Sequence, residues 1–147
     1  MRVIIAATMA LAAAAVSALA EDGVPDMVGT WVGSAKSVVY GANRFHPGDS
    51  DLKPVPRVRE LGWTMEITGQ DGRVFWGQGW LTDDTSVRDT LALALAADGK
   101  TIIGAGDDGT HIMTLVGPDR IERCFSHPAT VDSGAIVAAC GYYDRVK

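Results

Sequence analysis

This sequence of 147 residues has little of what usually announces a chemistry. It contains no His-x-His or His-x-x-x-His spacing among its three histidines, which leaves a metal centre without the usual ligand pattern. It has only two cysteines, Cys124 and Cys140, too far apart for the Cys-x-x-Cys arrangement that lowers a thiol pKa, so a redox pair is not expected. Basic clusters are absent too: 13 Lys and Arg stand against 18 Asp and Glu, a net charge of −5, which argues against nucleic acid and anionic membrane surfaces as partners. A sustained 3.6-residue apolar period is also missing, and with it any amphipathic helix. Catalysis is therefore not expected, and no cofactor signature is found.

What is present begins with an export pattern. One positive charge at Arg2 precedes an uncharged apolar run from Val3 to Val16, then Ser17-Ala18-Leu19-Ala20 and the acidic pair Glu21-Asp22. These are the n-region, h-region and small-residue cleavage site of a secretory signal peptide spanning residues 1–20. The run is shorter than the roughly 20 residues needed to cross a bilayer. Cleavage after Ala20 leaves residues 21–147 as a single domain, expected in the periplasm or outside the cell, with no membrane span. Thiols oxidise there, so Cys124 and Cys140 are expected to form a disulfide.

The remaining chain reads as a meander. Turn residues recur at Asp71-Gly72, Asp83-Asp84, Asp98-Gly99, Asp108-Gly109 and Gly117-Pro118-Asp119, and Asp-Gly between apolar alternations is a strong hairpin signal. The segments between are rich in β-branched and aromatic residues. About eight strands follow: Val28 to Tyr40, Val58 to Gly69, Arg73 to Leu81, Val87 to Ala97, Lys100 to Gly106, Thr110 to Val116, Arg120 to Ser126 and Ala135 to Val146. Short links make each the antiparallel neighbour of the last. The fold class is thus all-β, an eight-stranded antiparallel up-and-down barrel, with an open sandwich as the other solution. The long connection Gly41 to Arg57 carries Pro47, Pro54 and Pro56 and is expected to be a loop over one end.

Two-residue turns sort the faces. At Asp71-Gly72 such a turn sets Ile67 opposite Trp76, Met65 opposite Gln78 and Trp63 opposite Trp80 on the inner face. At Asp98-Gly99 it sets Leu95 opposite Ile102 and Leu93 opposite Gly104. At Asp108-Gly109 it sets His111 opposite Gly106 and Met113 opposite Gly104. Strand one turns Trp31, Gly33, Ala35 and Ser37 inward, and the last strand Val137, Ala139, Gly141, Tyr143 and Arg145. Keeping Cys124 outside with Cys140 sends Arg123 inward; either Arg123 is an interior charge or the register slips.

Gly29-Thr30-Trp31 at the start of the first strand, with an inward Arg145 at the end of the chain, resembles the calycin arrangement of lipocalins, fatty-acid-binding proteins and avidins. That resemblance implies a barrel closed at one end by Arg145 stacked on Trp31. The chain departs from lipocalins in lacking a helix after the barrel, and from avidins in lacking recognisable ureido-binding residues.

The function then depends on the barrel interior. The interior tryptophans either fill the core or wall a ligand site, and the strand glycines at 33, 77, 79, 104, 106 and 141 either relieve bends or leave room. The candidate ligand-binding residues are Trp63, Gln78, Trp80, Asp89, His111 and Arg123, where Asp89 and His111 are also readable as rim residues or a structural ion pair. His46 and His127 lie in loops at the same end. Two functions remain: an exported protein holding a partly apolar small molecule in the barrel mouth, or an interaction partner of a periplasmic or secreted protein. An example of the latter is a protease inhibitor with a filled barrel that inserts its N-terminal segment Glu21 to Asp26.

Overall fold

The computed structural model describes residues 23–48, 55–129 and 134–147. The expected export signal at 1–20 lies outside the described residues, as do Glu21, Asp22 and the middle of the long loop. Eight strands follow in order: β1 (Gly29–Tyr40), β2 (Arg57–Asp71), β3 (Val74–Leu81), β4 (Asp84–Leu95), β5 (Thr101–Gly106), β6 (Thr110–Gly117), β7 (Arg120–His127) and β8 (Ile136–Arg145). Each pairs antiparallel with the next, and β8 pairs with β1, so the sheet is a closed barrel rather than an open sandwich.

Local chemistry explains the turns. In the β4–β5 loop the Asp98 carboxylate accepts from the backbone N–H groups of Lys100 and Thr101 and from the Thr101 hydroxyl. These bonds, led by the hydroxyl, hold its pKa down at about 2. The register beyond this loop is the expected one, with Leu95 opposite Ile102 and Leu93 opposite Gly104. Across β5 and β6 the pairing slides two residues from the expected one, so that His111 faces Gly104 and Met113 faces Ile102. A slide of two preserves the face, and His111 and Met113 are buried as anticipated.

The β2–β3 hairpin corrects the sequence reading. Its two turn residues are Gly72 and Arg73, with Gly72 at φ 53°, the glycine-first geometry of tight hairpins. Moving the turn by one residue slides the pairing by two, which leaves the faces unchanged. A β-bulge between Ile67 and Gly69 does not: one extra residue in β2 reverses every later side chain of β3. Ile67 therefore faces Gly77 rather than Trp76, Glu66 faces Gln78, and Thr64 faces Trp80. Trp76 stands on the outer wall, 49% exposed, and Gln78 is exposed beside it. The Trp76 ring lies across Gly69, where an added Cβ would meet it at 2.4 Å. The inner face of β3 is Phe75, Gly77, Gly79 and Leu81 instead.

The lower half of the barrel is a packed core of Trp31, Met65, Phe75, Leu93, Ile102 and Met113, among others. Strand glycines do two things here, and neither leaves a void. At Gly33, Gly77 and Gly141 a Cβ would lie within about 2 Å of a carbonyl oxygen of the neighbouring strand, so these positions let the sheet bend tightly. At Gly79, Gly104 and Gly106 the vacant space is taken by Trp63, Leu93 and the Asp89 carboxylate.

The closed end has the seal that the resemblance implied. The Arg145 guanidinium carbon sits 4.6 Å from the centre of the Trp31 ring. Arg145 also donates to the carbonyls of Val28 and Asp26, and the Trp31 indole N–H donates to Met27 O at 3.1 Å. Met27 is tucked beneath the barrel, with its N–H bonded to Gln70 Oε1 at 2.7 Å while Gln70 Nε2 donates to Pro25 O at 2.9 Å. On the outer wall, Cys124 and Cys140 face each other across β7 and β8 and are joined as a disulfide.

Candidate functional site

At the other end, the loop after β1 folds back over the barrel mouth. Residues Asn43 to His46 form a tight turn in which Asn43 Oδ1 accepts from the N–H groups of Phe45 and His46. The turn drives Phe45 down into the barrel, where its ring meets Trp63 edge to face at 5.0 Å between centroids. Arg44 then reaches across the rim. It donates to Asp108 Oδ2 at 2.7 Å and stands 3.8 Å from both Asp107 and Asp89. On the far side Arg57 donates to Gly41 O and Pro47 O, and Arg59 to Pro47 O. The described part of the long loop is thus the lid that its position suggested.

Beneath the lid lies a cavity of about 40 Å³, room for two or three water molecules at about 10–15 Å³ each. Phe45, Trp63, Leu81 and Phe125 supply its apolar lining, and Asp89, Arg123, Ser37 and His46 its polar lining. The barrel is therefore largely filled in this closed state.

The polar groups form one chain. Arg123, 4% exposed, donates from Nε to His111 Nδ1 at 3.1 Å and from Nη1 to the Tyr143 hydroxyl at 3.3 Å. Accepting at Nδ1 leaves the His111 proton on Nε2, which stands 3.7 Å from Asp89 Oδ2. Burial, seconded by the Arg123 charge, holds His111 below its ordinary pKa against the opposing pull of Asp89, so the ring is neutral near pH 7. Asp89 is itself 1% exposed and accepts the Asp107 N–H at 2.7 Å. Arg123 forms no ion pair among the described residues; its guanidinium lies instead against the rings of Trp63 at 4.9 Å, Phe125 at 5.5 Å and Tyr143 at 5.7 Å.

Of the residues singled out from the sequence, Trp63, Asp89 and Arg123 line the cavity and His111 joins Asp89 to Arg123. Gln78 and Trp80 do not reach it. The β2 bulge puts them outside, where Trp80 stacks under Arg88 at 3.7 Å. The interior position of Arg123 resolves the open choice at β7, since Cys124 and Cys140 pair outside without any slip. Sequence reasoning missed Phe45 and Asn43. The only aromatic residue in the proline-bearing loop, Phe45, was the available signal. His46 and His127 lie close enough to interact, while His111 sits apart with Asp89. Among the described residues no group of three or more His, Cys, Asp or Glu is placed to hold a metal ion.

The fold and the site together define a closed eight-stranded β-barrel whose mouth is stoppered over a small, partly polar cavity. No family model and no curated protein matches the sequence. Among solved structures the chain is similar to the S-type phycobiliprotein lyase CPES from Guillardia theta, at 13% identity over 82% of this chain and 89% of that one, with a TM-score of 0.39.

Proposed function

We propose that this chain is an exported small-molecule-binding protein that takes a partly apolar ligand into the mouth of its barrel. The observation that carries the reading is the combination beneath Phe45: an aromatic wall, a buried cation at Arg123, and a Trp63 indole N–H that has no acceptor among the described residues. Buried donors are nearly always paired, so an unpaired one beside a cavity is best explained by a partner that comes and goes. Because the closed cavity is small, binding requires Phe45 to leave, and the ligand's apolar part takes its place against Trp63. Export to an oxidising compartment is part of the proposal, supported by the sequence of the first twenty residues and by the Cys124–Cys140 disulfide. Binding rather than catalysis is proposed.

The filled lower barrel favours a second reading, in which the protein acts by docking to a secreted partner through its N-terminal segment. That reading needs a free segment, whereas Pro25 and Met27 are tied to Gln70 under the barrel.

Native mass spectrometry of protein purified from its own host tests the choice. A bound small mass that dissociates on activation supports capture. Its absence, together with tryptophan emission unmoved by a broad panel of apolar compounds, would remove the proposal.

A further inference from the structure

Independently of what the mouth takes in, we infer that this protein pairs with a second copy of itself through the outer wall of β3 to β6. Closure of the barrel leaves no strand edge to extend, so association must proceed through side chains on its surface. On that surface one row of mutually paired residues runs Val74, Ala94, Ile103, Ile112, Cys124 and, across the disulfide, Cys140. The row continues with Lys36 and then Glu60, so the wall is apolar on one side of the barrel and charged on the other. Trp76, Ala92 and Ala105 form a second apolar row beside the first. The large side chains of this face, Val74, Trp76, Ile103 and Ile112, are 49% to 62% exposed.

Shape, charge and extent all point to a second copy as the occupant. The Trp76 ring leans back across Gly69, and Ala92, Ala94 and Ala105 floor an open trough of about 550 Å³ between it and Ile103. A two-fold axis between the trough and the Ile103 ridge seats each copy's ridge in the other's trough, so the face is complementary to itself. The chain carries a net charge of −5, and two copies repel wherever charged surfaces meet. Among the described residues this face escapes that repulsion, because its margins at Gln78, Thr90, Thr101, Thr110 and Thr114 are polar and uncharged. Four half-exposed large side chains on an alanine floor present roughly 400–500 Å² of apolar surface, taking about 100 Å² for a half-exposed tryptophan. That is the apolar centre of a standard interface of about 800 Å² per partner, and the threonines and Gln78 supply its rim. The face shares no residue with the cavity beneath Phe45, so pairing and ligand capture stand or fall separately.

Sedimentation equilibrium of the full mature protein, from about 1 to about 500 μM, measures the pairing, and a dimer with a dissociation constant in the micromolar range is expected. Trp76→Glu and Ile103→Lys each place a charge in the face and should weaken pairing by about a hundredfold or more. Ala92→Glu should do the same. Mixing Ala92→Glu with Ile103→Lys should then restore pairing between the unlike copies, because the two positions meet across the two-fold. Such rescue separates lost pairing from lost fold. A wild-type protein that stays monomeric throughout would overturn the inference, and so would dimers of unchanged strength in both Trp76→Glu and Ile103→Lys. Weakened variants that the mixture does not rescue would overturn the seating of ridge in trough. A monomeric wild-type protein that floats with phosphatidylcholine vesicles would assign the face to a lipid surface and overturn self-pairing.

Discussion

The rings of Phe45 and Trp63 meet edge to face at 5.0 Å, and this one contact joins a loop to a barrel strand across the mouth of the site. It makes the lid a removable part of the core. Phe45 is buried at 6% exposure, yet it hangs on a loop whose other anchors are rim hydrogen bonds and ion pairs.

Phe45→Ala should therefore open the cavity without unfolding the barrel. We expect a loss of about 2–3 kcal/mol, below the usual range for a core phenylalanine because the loop can give way. Urea unfolding measures the loss, and a red shift with increased quenching of Trp63 emission reports the opened mouth. An unchanged emission spectrum would mean that Phe45 does not shield Trp63.

Lid closure should weaken in acid. His46, a buried residue of the lid loop itself beside Arg59, Arg57 and His127, has its pKa lowered from 6.5 to about 4, chiefly by burial. With the lid open it would take up a proton near 6.5, so the open state binds more protons between those two values. Closure is at full strength above pH 6.5 and declines as the pH falls towards 4. Acrylamide quenching of Trp63 across that window should rise on acidification, and His46→Gln should flatten the rise.

At the closed end, Arg145→Met should cost about 1–3 kcal/mol, because it removes the stack on Trp31 and the donors to Val28 and Asp26 together. A double-mutant cycle with Trp31→Leu isolates the stacking part. A coupling below about 0.3 kcal/mol would show that Arg145 works only through its backbone bonds.

Reducing the Cys124–Cys140 bond, which closes a loop with a separation of 16 residues, should destabilise the barrel by about 3 kcal/mol. The strands it joins are already paired, so the barrel should remain folded under native conditions. The shift in the urea midpoint on reduction, compared with that of a Cys124→Ser, Cys140→Ser double variant, measures the effect.

Inward and outward faces were legible wherever a strand's own alternation and its turn sufficed. The inward set Leu91, Leu93 and Leu95, with Leu95 opposite Ile102, came out as expected, while at Arg123 the sequence left an interior charge and a register slip both open, and the pairing of Cys124 with Cys140 outside decides for the interior charge. The eight-strand count and the pairing of neighbours followed from the spacing of turn residues. Those are properties of period-two sequence and short connections, and they survive a register slide of two residues such as the one between β5 and β6.

Three things needed the tertiary structure. The single added residue in β2 near Thr68 reversed Trp76, Gln78 and Trp80, because a bulge is fixed by how the sheet must curve to close, and nothing in the alternation of β2 or β3 marks it. The space that strand glycines free was taken up by Trp63, Leu93 and Asp89, a matter of which side chains meet across the barrel rather than of any one strand. And the descent of Phe45 onto Trp63 brought together residues from a loop and a strand whose meeting no periodicity encodes. The chain's local pattern determined a ring of eight strands with one apolar interior; closure of that ring in space decided how the interior is filled and where it is left open to a ligand.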